Sequence, residues 1–398
     1  MTLLIYLFPA MIDILVGANL FVVSVRIALS QAGPVAVTLV VTLNATAYML
    51  GSQVMGRLVT EKNAGKIIMI SCSFAGLVSL LYVFIPGLKL VYLLVMMQAF
   101  VSAGFFVPFQ VFMKVVESGK NQGIIKSTAL YTLSWSGGLA LGPLVAGYLW
   151  EATSWEWVFV LNALLAFLTV AGVFFIDKYF VNQKRATDAD KNTATTAGPY
   201  SKMPNLVWVS WIFCSISYLV WMGTRSFFPS LGEYVKMPKS NQGEVLSLLL
   251  GAQAITGFCF YRSRTWMYEV LPMLCFGILG VLGVACFLMP NSVLWYYLGA
   301  LLLGIYAGAF FFYFVFHAIS HPTKSAKYVA VNESVNGVAG FIGPLLAGLL
   351  ASNISYKAPY YFGASVIAVA IVVQAFIHRR YRSAAAQLRL EFRRATDT

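Results

Sequence analysis

The sequence predicts an all-α integral membrane protein with twelve transmembrane helices, in two six-helix bundles related by a parallel pseudo-two-fold repeat. Three observations predict it. Apolar residues make up 60% of the 398 positions and charged residues 10%, against about 45–50% and about 25% in soluble globular chains. Apolar stretches long enough to span a bilayer, roughly 20 residues each, follow one another along the chain with short polar segments between them. Finally, "GPLVAGYL" at 142–149 returns as "GPLLAGLL" at 343–350, with six of the eight letters kept.

The first six spans fall at about 3–25, 35–56, 67–86, 90–113, 127–150 and 156–177. They form an N-terminal bundle over 1–177. The polar stretch 178–205, with "NQKRATDADKNTATTAGP" at its heart, reads as a flexible cytoplasmic linker. Six more spans at about 206–230, 243–261, 267–289, 293–316, 329–351 and 358–377 form a C-terminal bundle over 206–378. A basic tail, 379–398, closes the chain; it can lie on the anionic inner leaflet as a helix or stay solvated.

Charge fixes the expected orientation. Of the 27 Lys and Arg residues, 21 fall in the segments that are cytoplasmic if both termini face the cytoplasm, and 6 fall in the outer ones. Basic cytoplasmic loops are what membrane insertion requires. The net charge of +13 is therefore read as a topology signal and not as a nucleic-acid surface. Short loops and compact length suggest a bacterial inner (plasma) membrane. The first span lacks a basic region before it, so no cleavable signal peptide is read. Cys72, Cys214, Cys259, Cys275 and Cys286 lie in apolar runs without a CxxC pair and read as small buried hydrophobes. The three histidines show no metal-ligand spacing. No metal and no cofactor are expected.

The repeat places Gly142 and Pro143 in helix 5 and Gly343 and Pro344 in helix 11, six helices later. The same offset carries Gly56 onto Gly257 at the inner ends of helices 2 and 8. An even number of helices per unit keeps both units in one orientation, the parallel type of repeat. Glycine lets helices approach closely in lipid. Proline removes one helical hydrogen bond and bends the helix. Such a helix suits tight packing, or a surface on which one bundle rocks against another.

Over nearly its whole length the chain resembles the major facilitator superfamily of secondary transporters. The strongest local match is "GGLALGPLVAGYL": Gly138, Gly142, Pro143 and Gly147 stand where the family's helix 5 antiporter motif GxxxGPxxGG has them, with Ala146 at a usual glycine. Gly343, Pro344 and Gly348 carry the second copy. "SWEWVFVLNALLA" is similar to the family's helix 6. In the loop between helices 2 and 3, Gly56, Leu58, Gly65 and Lys66 match the family pattern GxLaDRxGRR only with an insertion. Thr60 stands at the Asp position, with Glu61 as its expected substitute. In helix 4, Gln98 stands where the family's arginine is usual, while Gly104 keeps one glycine. The resemblance implies alternating access around a cavity lined by helices 1, 4, 7 and 10. It also implies energy from the proton gradient and export of a small organic, amphipathic solute by substrate/proton antiport. The departure at Gln98 leaves an uptake symporter or uniporter for a sugar, organic acid or similar nutrient open. A carrier of lipid-like solutes and a non-transporting sensor or scaffold are the other readings.

Ionisable groups inside a membrane are costly and so are functional candidates. Asp13, about ten residues into helix 1, is the leading proton-exchanging or cation-pairing group, and Glu333, in "VNESVNG" of helix 11, is a second. Arg225, near the outer end of helix 7, can snorkel to the interface or meet an anionic substrate. Tyr306, Phe310, Tyr313 and His317 share one face of helix 10, which suits either a cavity wall or plain packing. Asn19, Gln98, Tyr131 and Trp135 complete the substrate candidates, with Asn44, Gln110 and Gln253 as further polar positions in helices. The chain has no GxxxxGK[ST], HExxH, GxSxG or TVGYG. It is not expected to be an enzyme or an ATP-driven pump. "GILGVLG" at 277–283 lies inside a spanning helix and reads as packing. The expected partners are a small-molecule substrate, protons and the lipid bilayer, with a monomer sufficient for this fold.

Overall fold

A computed structural model describes residues 4–85, 87–117, 124–178, 206–260, 265–289, 292–319 and 325–380. Twelve α-helices run through them. After a short 3₁₀ turn come α1 (Leu7–Leu29), α2 (Pro34–Leu58), α3 (Ala64–Phe84), α4 (Leu88–Glu117), α5 (Ile124–Ala152) and α6 (Trp155–Ile176). Then follow α7 (Val207–Tyr234), α8 (Lys239–Cys259), α9 (Val270–Cys286), α10 (Val293–Ile319), α11 (Ser325–Asn353) and α12 (Ala358–Arg380). Every expected span is present as a helix. Most of the observed helices run past the apolar windows at one or both ends by up to about one turn, because backbone hydrogen bonding continues into polar residues there, whereas α9 stops three residues short of its window at each end. The start of α8, "KSNQ", is such a turn.

Nine of these helices are long and apolar enough to cross a membrane. α9 is shorter, at 17 residues. In α5 and α8 the hydropathy is diluted by glycine, serine and other polar residues. Ile70, Phe74 and Leu77 on α3 and Val369, Val372 and Phe376 on α12 are exposed; apolar rows of that extent belong against lipid. Of the linker, only Lys178 is described; of the basic tail, only Arg379 and Arg380. Cys72, Cys214 and Cys286 are buried as expected, whereas Cys259 of α8 and Cys275 of α9 are exposed.

The described contacts divide the chain into two compact units, Met1–Thr193 with Ser226–Gly251, and Ala194–Arg225 with Ala252–Thr398. In the first, α1 packs on α5 and α6, α2 on α4, and α3 on both α4 and α6. In the second, α9 packs on α10 and α12, and α11 on α10 and α12. The α3–α4 and α3–α6 pairs thus return as α9–α10 and α9–α12, six helices on, which is the repeat seen in the sequence. The glycines of "GILGVLG" do pack: a β-carbon on Gly277 would meet Ile371 of α12, one on Gly280 the Tyr306 ring of α10, and one on Gly283 the backbone of Leu303.

Candidate functional site

The "GPLVAGYL" helix, α5, has two glycine faces. Gly138 and Gly142 are one turn apart and lie on the same side. A β-carbon on Gly138 would stand 2.3 Å from Ala10 O, and one on Gly142 would stand 2.6 Å from Ala18 N and 2.7 Å from Ile14 O, all on α1. Gly17 answers from α1, with its β-carbon position 2.7 Å from Leu139 O and 3.2 Å from Pro143 Cδ. Gly147, nine residues after Gly138, is half a revolution out of phase and faces α8. A β-carbon there would meet Lys239 O at 2.6 Å. Gly243 of α8 approaches Pro143 O so closely that its own β-carbon would lie 2.3 Å away. Both faces of α5 are therefore backbone-to-backbone seams. A proline adds to this by leaving a bend and no N–H at its position.

The second copy of the phrase forms one such seam in the other unit. A β-carbon on Gly343 of α11 would stand 2.5 Å from Leu219 O of α7, while one on Gly223 would stand 3.1 Å from Gly343 O. Pro344 lies inside α11 and Gly348 is buried.

Asp13 lies between Ala10 and Gly17 on α1, on the flank of the α1–α5 seam, and is 6% exposed. Asn19 is buried and donates from Nδ2 to the Tyr82 hydroxyl at 3.3 Å. Tyr82 stacks on Phe159 with ring centroids 4.5 Å apart. Above them the Arg26 guanidinium lies on the Trp155 indole, 3.5 Å from its centroid. These contacts clamp α1, α3 and α6 together. Gln98 of α4 is buried with neither amide atom hydrogen-bonded. Tyr131 stacks on Phe109, and it and Trp135 rest on a core that includes Phe105, Phe109 and Phe112. The structure thus separates Tyr131 and Trp135, in an aromatic cluster, from the polar Asn19.

In the second unit, Tyr306, Phe310 and Tyr313 are all buried, linked ring to ring along α10. The half-exposed aromatic surface lies elsewhere. Tyr218 of α7 stacks between Trp221 and Phe311. Trp211 donates from Nε1 to Asn332 Oδ1 at 2.8 Å and meets the Tyr328 ring edge-on. Arg225 lies over Trp221, 5.7 Å from its centroid. Trp211, Ser215 and Tyr218 share one α7 face by their i, i+4, i+7 spacing, a period present in the sequence but not among the expected substrate residues. The Glu333 side chain lies outside the described residues.

The loop residues are divided. Asn63 ties the α2–α3 turn by accepting from Thr60 N and donating to Leu58 O. Gly65 lies against a carboxylate: a β-carbon there would stand 2.9 Å from Asp177 Oδ1. Asp177, at the end of α6, thus places a negative charge beside the first turn of α3, where the helix dipole favours it. Gly56 faces open space, and Glu61 and Lys66 are exposed. Among the described residues no group of His, Cys, Asp and Glu could hold a metal ion.

Comparison with known proteins matches this arrangement. The crystal structure of a mutant of the nucleoside transporter NupG superposes with a TM-score of 0.69 at 14% identity, covering 96% of this chain and 100% of that one. At that identity the likeness shows the fold alone. A search of curated proteins returns no match. The family model described as Major Facilitator Superfamily matches residues 3–324. That match spans well over half of the chain, and with twelve helices, glycine-proline seams in both units and a transporter of like fold, it settles the family: the chain belongs to the Major Facilitator Superfamily of multi-pass membrane secondary transporters.

Proposed function

We propose that this transporter exports a small amphipathic organic solute in exchange for protons, with Asp13 as the proton-exchanging or cation-pairing carboxyl. The observation that carries the reading is the position of Asp13: 6% exposed, in a spanning helix, on the flank of the seam between α1 and α5. A carboxylate so enclosed is costly in a membrane, so taking up a proton changes the balance of a close helix crossing. The half-exposed rings of Trp211, Tyr218 and Phe311 suit the apolar part of such a solute. In this reading residues 1–177 and 206–378 rock around a central site. Both termini face the cytoplasm, as the distribution of Lys and Arg favours, and the short loops and compact length suit a bacterial inner membrane. Glu333 is a second candidate for the proton path.

The test uses everted membrane vesicles with an acidic interior, challenged with ethidium, tetraphenylphosphonium and uridine. Solute-driven collapse of the pH gradient with the intact chain, lost in Asp13→Asn, is the expected result. An unchanged collapse in Asp13→Asn removes the proton role. Gln98 favours a second reading, an uptake symporter or uniporter: a buried neutral amide stands at the helix 4 position where the family's antiporters carry arginine, and no amide atom has a hydrogen-bond partner. Accumulation of uridine or a sugar in right-side-out vesicles would favour that reading.

A further inference from the structure

We infer that the adjoining ends of α5 and α8 form a releasable latch, in which Glu151 of α5 supplies the missing cap of α8, and that protonation of Glu151 from the outer side frees α8. The inference rests on the proposed orientation, which turns the α5–α6 and α7–α8 connections outward.

α8 begins at Lys239, so Pro238 occupies its N-cap position. An N-cap residue usually offers a side-chain oxygen to the N–H of the second or third helical residue. Proline has no such oxygen. The second amide, Ser240 N–H, donates instead to Glu151 Oε2 at 3.0 Å. The carboxylate also gains from the positive end of the α8 dipole. Nearby, the Tyr148 hydroxyl donates to the Glu244 carboxylate. The two bonds cross in opposite senses, an acid of α5 on an amide of α8 and a phenol of α5 on an acid of α8. Beneath them Gly147 and Gly243 bring bare backbone together, a contact with high complementarity but little side-chain interlock.

The turn that delivers α8 is preformed. Met237 N donates to Gly232 O at 2.8 Å and Lys236 N to Glu233 O at 3.1 Å, the paired bonds of a Schellman ending to α7. Lys236 takes the left-handed position, with φ of 55°. Gln242 Nε2 donates to Glu233 Oε1 at 2.6 Å and to Met237 O at 3.0 Å, and Lys239 pairs with Glu233. The start of α8 therefore moves together with the end of α7, and the bonds to Glu151 and Tyr148 are those that release must break.

The groups facing Glu151 are Ser240 and Lys239 from α8 and Tyr148 on its own helix; Glu244 faces Tyr148. Hydrogen bonds from the Ser240 hydroxyl and amide hold the Glu151 carboxyl below its ordinary 4.5, with a smaller contribution from Lys239. A value depressed in the latched state means that the latch is at full strength above that ordinary value. It weakens as pH falls through the lowered one.

The experiment needs no known substrate. Ser247, about two turns into α8, has a buried hydroxyl. In the full-length chain in proteoliposomes, Ser247→Cys is labelled with the membrane-impermeant thiol reagent MTSET. Its rate is referenced to Thr153→Cys in the α5–α6 turn and corrected for the native cysteines. Relative to that reference, which carries the loss of thiolate at acid pH, labelling from the outer face is expected to be slow at pH 7 and to rise, by up to about tenfold, as the pH falls below 4.5. Glu151→Gln is expected to be fast across that range. Pro238→Ser, which gives α8 a local cap and makes Glu151 redundant, should also be fast at pH 7. Equal rates in the parent and both variants at pH 7, or an acid response that survives Glu151→Gln, would overturn the latch. Labelling from the opposite face alone overturns the orientation beneath it. Because no flux is measured, failure here leaves the exchange reading standing, and the vesicle assay fails or succeeds separately.

Discussion

Gly142 of α5 and Gly343 of α11 sit in nearly the same eight-letter phrase, yet they meet their neighbours differently. At Gly142 three backbone atoms of α1 lie 2.6–2.8 Å from where a side chain would begin, and they belong to three successive contacts at Ile14, Gly17 and Ala18. At Gly343 the crowding comes from one residue, Leu219, whose carbonyl is at 2.5 Å and whose other atoms are at 3.2 Å. The reciprocal positions differ more. A β-carbon on Gly17 would stand 2.7 Å from Leu139 O, whereas one on Gly223 would stand 3.1 Å from Gly343 O. The phrase allows a close crossing; the partner helix decides how close it becomes. A second glycine one turn earlier, Gly138, tightens the first crossing, and Ala339 occupies the corresponding place in the second.

The largest effect expected to break this comparison is Gly142→Leu. It should abolish transport while the chain still inserts, because backbone on both sides of the seam cannot yield. Gly343→Leu should impair transport less completely. Vesicle flux normalised to membrane-inserted protein distinguishes them, and equal residual flux would mean that the seams are equivalent. Next is the reciprocal pair. Gly17→Ala should destabilise by about 1–3 kcal/mol, the usual cost of overpacking, and Gly223→Ala by clearly less, since a shift of a few tenths of an ångström relieves it. Thermal unfolding midpoints in detergent give the ranking. Tyr82→Phe removes the acceptor of Asn19 and should cost about 1 kcal/mol. It tests whether the α1 clamp, and not only the glycine seam, fixes the first crossing. Smallest is Lys236→Gly, expected to stabilise by up to about 1 kcal/mol by relieving a left-handed lysine. A lower midpoint would show that the lysine side chain supports the turn.

Much of this was legible in the sequence because membrane insertion writes itself in long apolar windows. All twelve helices and the six-plus-six repeat followed from them, with the ends misplaced where polar turns such as "KSNQ" stay helical. The glycine-proline phrase pointed to α5, and its partners were not legible. Nothing in the sequence near Gly147 names Lys239 or Gly243, and Glu151 is separated from Ser240 by 89 residues. The aromatic face of α10 was legible as a period but not as a direction. The same spacing describes rings turned into the bundle, as Tyr306, Phe310 and Tyr313 are, and rings turned out of it. The approach of Asp177 to Gly65 is not legible either, because the sequence offers no sign that the end of α6 meets the start of α3.

The glycine crossing of α1 and α5 also has an evolutionary reading. Gly17 and Gly142 hold each other in place: a side chain at either one is admissible only if the other helix retreats, so neither position can drift alone. Two helices joined in this way inherit changes as a pair. The looser meeting of Gly223 with Gly343 carries no such mutual veto. The veto belongs to a crossing and not to a half: Gly283 of α9 and Gly299 of α10 answer each other in the second unit, with β-carbon positions 3.1 Å and 2.8 Å from each other's carbonyl oxygen.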